Sequence, residues 1–214
     1  MLAALLFLIC IATVVFASKT NGKNIQYADQ RESARIKYSF QTFQNQLGET
    51  QYNTENVGFI WGNPQAAHEI SLYVSISCSY CDRAIKEMRR LTEIYPNFCY
   101  RLIFSVQSDN LEDKPNIVVR HFLNLYKTMN KNGFFDMLDI WYKKLNKNPE
   151  AFQIAFPAQR PQQNPTTEMD TIYQFNQQTN INYTPAILLD GRLLSQLYTY
   201  MDIYGILRTL YAEE

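Results

Sequence analysis

The sequence predicts an α/β fold in which helices accompany a sheet that has both a parallel strand pair and an antiparallel hairpin. Strand-like runs at 57–62, 69–77 and 98–106 enclose one helical segment, so the second and third runs should pair in parallel through a right-handed crossover. Two apolar runs flank Asp190-Gly191, a dipeptide typical of the tight type I′ turn of a hairpin. A long helical stretch separates these two parts of the chain.

The helix between the second and third strands is predicted over residues 79–95. Apolar residues recur along one face, and Pro96 follows the end of the helix, as expected where a helix stops. The apolar face consists of Ala84, Ile85, Met88 and Leu91. The strand before this helix leads directly into Cys78 and Cys81.

Beyond residue 106, apolar residues spaced by four, three and four positions predict two further helices. Gly133 is expected to end the first helix, and the second should run up to Pro149. The two stripes are Val118, Phe122, Leu125 and Met129, and then Phe134, Leu138, Trp141 and Leu145.

The remaining elements follow a loop that contains Pro157, Pro161 and Pro165. Thr167 with Asp170 has the spacing of a capping box, which predicts a helix that reaches about Thr179. After the hairpin, the last helix is expected to bury one apolar face. That face is Tyr200, Ile203, Tyr204, Leu207 and Leu210.

The N-terminal segment differs from the rest of the chain because residues 2–17 carry no charge. About 16 apolar residues are few for a membrane span, which needs roughly 20, but they suit the core of a signal peptide. The first positive charges, Lys19 and Lys23, follow this run instead of preceding it. Residues 1–17 are therefore predicted to be either a signal peptide or a membrane anchor, with a buried core helix as the other alternative.

Residues 18–56 are rich in Gln, Asn, Thr and Ser and are interpreted as a polar stalk ahead of a domain at 57–214. Within the stalk, four apolar residues at helical spacing predict a short amphipathic helix that Gly48 would end. The four are Ile36, Phe40, Phe43 and Leu47. This helix would either pack on its own domain or bind a partner.

Charge and cysteine content exclude several classes of function. The formal net charge is zero, from 20 basic and 20 acidic side chains, so no basic surface is expected that would bind nucleic acid. Cys10 lies in the apolar segment, which leaves Cys78, Cys81 and Cys99 for the rest of the chain. An odd number cannot form a purely structural disulfide framework. Cys99, in a predicted strand, is interpreted as a small buried side chain.

Two cysteines flank Ser79-Tyr80 and form a C-x-x-C motif at 78–81. Thiols at this spacing can exchange disulfides, bind a metal or close a permanent bridge. A zinc site needs further ligands nearby, and the chain offers only two histidines and Cys99. A bridge across so small a loop adds little stability. Redox exchange is the favoured interpretation, and the other two stay open.

The two sulfurs are expected to have different roles. Cys78 stands at the predicted helix N-terminus, where unpaired backbone N–H groups and the helix dipole favour a negative charge. Such a site lowers the pKa of a thiol below the free value of about 8.5, so Cys78 is the predicted nucleophile. Cys81, one turn later, is close enough to attack a mixed disulfide and release the substrate.

The order β-β-α-β, helices, β-β-α, with C-x-x-C at the first helix, resembles the thioredoxin fold. Thr184-Pro185 precedes the hairpin, where that family has a cis-proline facing the cysteine pair. The helical stretch at about 111–180 resembles the insertion of DsbA-type periplasmic oxidoreductases. The lead-in FIWGNPQAAHEISLYVSISCSYC is similar to that of thioredoxin domains fused to vitamin K epoxide reductase-like membrane proteins. The resemblance covers about 57–214.

The resemblance implies a thioredoxin-like α/β fold, namely a central mixed sheet flanked by helices, with the helical insertion before the cis-proline strand. It also implies an exported, periplasmic or otherwise extracytoplasmic protein-disulfide oxidoreductase, catalysed by Cys78 and Cys81. Substrate-binding positions would be Thr184, which offers its backbone to an extended strand, Pro185, Ser79 and Tyr80. No metal or cofactor is implied beyond the redox-active Cys78–Cys81 disulfide.

The implied partners are protein thiols and disulfides and a membrane redox partner such as a vitamin K epoxide reductase-like protein. One departure concerns position 72, which is Leu where the family often holds a buried acid, while Glu69 lies three residues further back. The alternative hypothesis is a non-catalytic thioredoxin-like module that binds extended peptides at Thr184-Pro185. The intact cysteine pair favours the oxidoreductase.

Overall fold

A computed structural model describes residues 19, 23, 26–106, 109–145, 147–157 and 166–213. The chain divides into two compact units, one of residues 1–45 with 208–214 and the other of residues 46–207. The predicted signal peptide or anchor at 1–17 lies outside the described residues. Among the helices that are described, none is long and apolar enough to cross a membrane.

The smaller unit contains two helices, α1 (residues 26–37) and α2 (Phe40–Gln44). Ser39 caps α2, because its Oγ accepts a hydrogen bond from the backbone N–H of Thr42. The rings of Phe40 and Phe43 meet edge to face with centroids 5.4 Å apart. The hydroxyl of Thr209 donates to the carbonyl of Tyr38 at 2.7 Å, which joins the two separate chain segments of this unit.

The larger unit is built on a six-stranded mixed sheet. The strands are β1 (Leu47–Gln51), β2 (Phe59–Gly62), β3 (Glu69–Val74), β4 (Cys99–Phe104), β5 (Ala186–Leu189) and β6 (Arg192–Leu194). Their order across the sheet is β1-β6-β5-β3-β4-β2. The predicted parallel pairing of β3 with β4 is confirmed, and the other neighbours are antiparallel.

Four helices of this unit form the predicted insertion, one helix joins β3 to β4, and a 3-10 turn and a last helix follow β6. They are α3 (Cys81–Ile94), α4 (Lys114–Tyr126), α5 (Lys131–Lys143), α6 (Pro149–Ala155), α7 (Thr166–Thr179), a 3-10 turn (Tyr200–Asp202) and α8 (Ile203–Glu213), of which 208–213 belong to the smaller unit. Helices α4 to α7 lie between β4 and β5 in the chain. Strands β3, β4 and β5 are buried over nearly their whole length, as expected for strands covered on both faces.

The hairpin between β5 and β6 is confirmed at Asp190-Gly191. Both residues have positive φ, 51° and 76°, as a type I′ turn requires. A Cβ at Gly191 would lie 2.2 Å from the carbonyl oxygen of Tyr52, so only glycine fits. The carboxylate of Asp190 accepts the backbone N–H of Glu69 at 2.7 Å and lies 2.8 Å from Nδ1 of His68, and thereby ties the turn to the start of β3.

The predicted single amphipathic helix with Ile36, Phe40, Phe43 and Leu47 on one face is wrong in two places. It is interrupted at residues 38–39, between α1 and α2, and it ends before Leu47. Leu47 opens β1, where it is paired with Leu194 of β6, and Gly48 lies inside that strand instead of ending a helix. Apolar spacing alone cannot show that β6 pairs with this segment. The pairing is extended just beyond both strands, where the N–H of Ser195 donates to the carbonyl of Gln46 at 2.9 Å. The sheet therefore begins ahead of residue 57.

The prediction that Gly133 ends a helix is also wrong. Helix α4 ends at Tyr126, and Gly133 lies in the first turn of α5. The side-chain oxygen of Asn130 accepts the N–H of Gly133 at 2.8 Å, which is the usual arrangement of an N-cap. The boundary is therefore set by the asparagine that starts the next helix.

Two features around the proline-bearing loop differ from expectation. Helix α6 was not predicted, although Asn148 caps it through the N–H of Ala151 at 2.7 Å and Pro149 occupies its first position, a favoured arrangement. Helix α7 already includes Thr166, so the predicted capping box at Thr167 is wrong. Its predicted end at Thr179 is confirmed.

The C-terminal helix buries most of the predicted face. Ile203, Leu207 and Leu210 are buried, but Tyr204 is 40% exposed, which corrects the prediction for that residue. Its ring instead lies beneath the guanidinium of Arg90, 5.4 Å from the ring centroid. An aromatic ring can satisfy a helical apolar pattern and still face solvent when a cation covers it.

Candidate active site

Cys78 and Cys81 lie where β3 gives way to α3. Helix α3 begins at Cys81, two residues after the predicted start, with Tyr80 as its N-cap. Both cysteines are free thiols. Cys78 is half-buried, whereas Cys81 is completely buried, so the first sulfur is the accessible one.

The second predicted motif lies directly beside the first cysteine. The Thr184-Pro185 peptide bond is cis, and the Cys78 sulfur lies 3.5 Å from the carbonyl oxygen of Thr184. Thr184 and Pro185 are both half-buried. The fold thus brings together residues from the start of α3 and from the approach to β5.

Ser79 and Tyr80, the two residues between the cysteines, face solvent. Both are exposed, and 63% of Tyr80 is accessible. A tyrosine side chain this exposed presents a large apolar ring with a polar tip. The surface around Cys78 therefore includes Ser79 and Tyr80, which are both predicted substrate-binding positions.

The pKa of Cys78 is lowered below its ordinary value. Burial of the sulfur acts in the opposite direction, but hydrogen bonds from the side chains of Cys81 and Thr184 and from the backbone N–H groups of Tyr80 and Cys81 outweigh it. Hydrogen bonds to the charged form stabilise the thiolate. The backbone N–H groups at the start of α3 thus contribute to the lowered pKa of Cys78.

The pKa of Cys81 moves in the opposite direction. Burial raises it to about 12, assisted by the hydrogen bond with Cys78 and by repulsion from a Cys78 thiolate. The pKa values of the two neighbouring thiols are therefore shifted in opposite directions. Cys78 is the sulfur that ionises, and Cys81 stays protonated near neutral pH.

The loop ahead of Cys78 is held by side chains of α5 that the sequence analysis did not assign to the site. The indole N–H of Trp141 donates to the carbonyl of Ile76 at 3.1 Å, and the hydroxyl of Tyr142 donates to that of Ser75 at 2.8 Å. Trp141 belonged to a predicted apolar stripe, but the pattern carried no signal of a partner 65 residues away.

The interior position six residues before the nucleophile is apolar, since Leu72 is completely buried in β3. Glu69 lies at the other end of this strand and forms a salt bridge with Arg101, with Oε2 2.8 Å from the guanidinium. Burial raises the pKa of Glu69, but the hydrogen bond and charge of Arg101 outweigh it and leave the pKa lowered. Glu69 is therefore committed to this pair.

The other candidate ligands of a metal each contact groups of the protein. Among the described residues, no three His, Cys, Asp or Glu side chains form a metal-binding group. His121 is buried with Nε2 2.7 Å from the carbonyl of Phe156. Cys99 is buried as predicted. Its pKa is raised to about 12, mainly by burial and to a smaller extent by the negative charge of Glu69. It is a protonated thiol in β4.

The chain belongs to the thioredoxin family, since a family model described as thioredoxin matches residues 54–208. No curated protein sequence matches the chain significantly. The thioredoxin-like fold with a helical insertion is confirmed, and it is the fold of DsbA-type protein-disulfide oxidoreductases.

Three solved structures illustrate this likeness. Oxidised BdbD from Bacillus subtilis has a TM-score of 0.56 and 12% identity, over 79% of this chain and 98% of that one. Reduced DsbA1 from Neisseria meningitidis has a TM-score of 0.57 and 10% identity, over 78% and 90%. A periplasmic thioredoxin-like protein from Salmonella enterica serovar Typhimurium has a TM-score of 0.57 and 12% identity, over 73% and 92%. At these identities the likeness concerns the fold.

Proposed function

We propose that the protein is an exported thiol–disulfide oxidoreductase that acts on protein thiols and disulfides through Cys78 and Cys81. The observation that carries this proposal is the contrast between the two sulfurs. Cys78 is accessible, has a lowered pKa and lies 3.5 Å from the Thr184 carbonyl, whereas Cys81 is buried with a pKa near 12. A reactive thiolate beside a protonated resolving thiol is the arrangement that thiol–disulfide exchange requires.

The reaction needs only these two sulfurs. The Cys78 thiolate attacks one sulfur of a substrate disulfide, which forms a mixed disulfide and expels the other substrate sulfur as a thiolate. Cys81 then loses its proton and attacks the Cys78 sulfur, which closes the Cys78–Cys81 disulfide and releases the second substrate thiolate. Two electrons pass from the protein to the substrate, and the reverse sequence oxidises a substrate dithiol.

The substrate would lie against Thr184, Pro185, Ser79 and Tyr80. The backbone of Thr184 is next to the nucleophile and could pair with an extended substrate strand, as strand addition does in other peptide-binding proteins. The exposed ring of Tyr80 would pack against apolar side chains of the substrate. No metal or cofactor enters this scheme, because the redox-active group is the Cys78–Cys81 disulfide.

The proposed location is extracytoplasmic. The apolar segment at 1–17 supports export, either with cleavage or with retention as an anchor, and disulfides persist in such compartments. The Salmonella protein of the same fold is periplasmic by its description. A membrane protein of the vitamin K epoxide reductase-like class is the proposed partner that resets the pair, because the lead-in to the cysteines is similar to domains fused to such proteins.

The test is an insulin-reduction assay run beside the oxidative refolding of a reduced, disulfide-containing protein. The wild type should accelerate one of the two reactions, and Cys78→Ala should be inactive in both. A wild type that accelerates neither reaction but binds unfolded peptides with the same affinity as Cys78→Ala would contradict the proposal and favour the non-catalytic peptide-binding module.

A further inference from the structure

Three consecutive backbone carbonyls precede Cys78, and each accepts a hydrogen bond from the helical insertion. Tyr142 and Trp141 donate to residues 75 and 76, as described above, and the ammonium of Lys147 donates to the carbonyl of Ser77 at 2.7 Å. We refer to residues 75–77 as the pre-nucleophile loop. Its last carbonyl belongs to the peptide unit that contains the N–H of Cys78, so Lys147 acts one peptide bond away from the reactive residue.

The conformation of Lys147 is unusual for a residue with a Cβ. Its φ is 54°, in the left-handed region that residues other than Gly, Asn and Asp seldom occupy. Its ammonium lies 5.7 Å from the ring centroid of Tyr142, which directs the side chain toward the pre-nucleophile loop. Backbone outliers of this kind cluster at functional sites.

Lys147 is also a cation that forms no ion pair with a described residue, unlike the two lysines beside the start of α3. Asp82 contacts Lys86 at 3.2 Å, and Asp139 contacts both Lys86 at 2.7 Å and Lys143 at 2.9 Å. These two acids and two lysines balance one another. Among the described residues, no carboxylate lies within ion-pair distance of Lys147.

We propose that Lys147 is a positioning residue that fixes the pre-nucleophile loop and places a positive charge on the carbonyl that is joined by one peptide bond to Cys78. The proposal deepens the proposed function and depends on it for its role in catalysis. When Cys78 leaves a mixed disulfide as a thiolate, the positive charge stabilises it. The neutral donors Trp141 and Tyr142 hold the loop without contributing charge.

Three of the other groups that titrate around Cys78 do not supply positive charge. Cys81 and Tyr142 are neutral near pH 7, since burial raises the pKa of each. Asp82 is negative but is paired with Lys86. Among the described residues, the groups that can stabilise a Cys78 thiolate thus include the backbone N–H groups at the start of α3, the exposed Arg83 in the first turn of that helix and, by the proposal, the ammonium of Lys147 on the Ser77 carbonyl.

The test measures the rate at which iodoacetamide alkylates Cys78 in the reduced, full-length protein, with the site identified by mass spectrometry. Lys147→Met should slow the reaction at pH 7 by a factor of about two to ten, the order expected when one nearby unit charge is removed at a partly aqueous site. Lys147→Arg keeps the charge and should stay near the wild-type rate. Lys144→Met, at an exposed neighbouring lysine, is the matched control and should also stay near the wild-type rate.

Salt dependence separates a charge effect from a structural one. The difference between the wild type and Lys147→Met should shrink in about 1 M salt, where the Debye length is only about 3 Å. Lys147→Gly removes the charge while it suits the left-handed backbone, so it carries the test if the Met variant does not fold. Equal rates for wild type and Lys147→Gly, or a loss in Lys147→Arg as large as in Lys147→Met, would overturn the proposal.

This alkylation requires no substrate, so it tests the role of Lys147 even if the protein fails to exchange disulfides. Where exchange is active, the loss of the charge should also disfavour the reduced pair. The equilibrium constant with glutathione should change about three- to tenfold, or about 15–30 mV toward a more reducing potential at roughly 30 mV for each tenfold. An unchanged potential together with an unchanged alkylation rate would refute the role of Lys147.

Discussion

The sulfur of Cys78 lies 3.5 Å from the carbonyl oxygen of Thr184, although the two residues are 106 positions apart in the chain. The contact joins the loop that leaves β3 to the segment that enters β5, and these two strands are neighbours in the sheet. Under the proposed function, a substrate sulfur that reaches Cys78 would approach the backbone of Thr184. This relationship underlies the proposed division of roles between the two cysteines.

Replacement of Cys81 should trap the reaction midway. Cys81→Ala leaves the Cys78 nucleophile but removes the thiol that resolves a mixed disulfide, so covalent adducts with substrate proteins should accumulate and disappear on addition of reductant. Cys78→Ala should form far fewer adducts, because Cys81 is completely buried. Non-reducing gels of the two variants provide the measurement. Equal adduct formation in both would contradict the assignment.

The two thiols should respond differently to pH. Because the pKa of Cys78 is lowered, its alkylation should rise to a plateau with a midpoint below the free-thiol value of about 8.5. Cys81, with a pKa near 12, should remain unmodified at pH 8 in the folded protein. Alkylation followed by mass spectrometry distinguishes the sites. Faster modification of Cys81 than of Cys78 would count against the proposed nucleophile.

Loss of the salt bridge between Glu69 and Arg101 should lower the stability of the fold and leave the reactivity of Cys78 unchanged. Arg101→Met leaves a carboxylate with only 17% of its side chain exposed without its partner. Loss of one member of a buried pair costs about 3–5 kcal/mol, and the residual exposure of Glu69 suggests the lower part of that range. Urea unfolding measures the loss, and the alkylation rate of Cys78 should not change.

The matched control is Arg90→Met, which breaks a more exposed pair with Glu87 and the contact with the Tyr204 ring and should cost at most about 1–2 kcal/mol. The pair should also make the wild type sensitive to acid. Glu69 has a lowered pKa in the folded protein, so its contribution is present above the unfolded value near 4.5 and is lost as the pH falls through the lower folded pKa. Similar costs for Arg101→Met and Arg90→Met would contradict this account.

Two glycines should respond in opposite ways to replacement by alanine. Gly191→Ala should lower the free energy of unfolding by about 1–3 kcal/mol or more. The reason is that φ is 76° and the new Cβ would lie 2.2 Å from the carbonyl oxygen of Tyr52. Gly133→Ala should be neutral or stabilise by up to about 1 kcal/mol, because the nearest atom to its Cβ is 3.4 Å away in a helical first turn. Urea midpoints test both. Destabilisation by Gly133→Ala would mean that this glycine is not in an ordinary helical turn.

The parts of the site that could be predicted are those whose signal is local. The C-x-x-C motif follows an apolar strand pattern, and Thr184-Pro185 directly precedes a strand and an Asp-Gly turn. Each pattern specifies its own backbone conformation. The fold then brings the two together, because β3 and β5 are neighbours.

The parts that could not be predicted depend on partners far away in the sequence. The contacts of Trp141, Tyr142 and Lys147 with the pre-nucleophile loop cross about 65 to 70 residues, and periodicity reports only that a helix has an apolar face. Leu47 likewise fits a helical stripe until β6 supplies a strand edge. The missed helix α6 is different, because Asn148-Pro149 was a local signal of a helix start, but Pro149 was interpreted only as the end of the preceding helix.

The most direct test of the central claim is a titration of the purified protein with glutathione redox buffers, followed by thiol alkylation and mass spectrometry. The account predicts that Cys78 and Cys81 become protected together in one two-electron transition as the buffer becomes more oxidising, while Cys99 remains a free thiol throughout. If Cys78 and Cys81 stay alkylatable at every ratio, or if they are oxidised independently of each other, they are not a redox pair and the proposed activity is wrong.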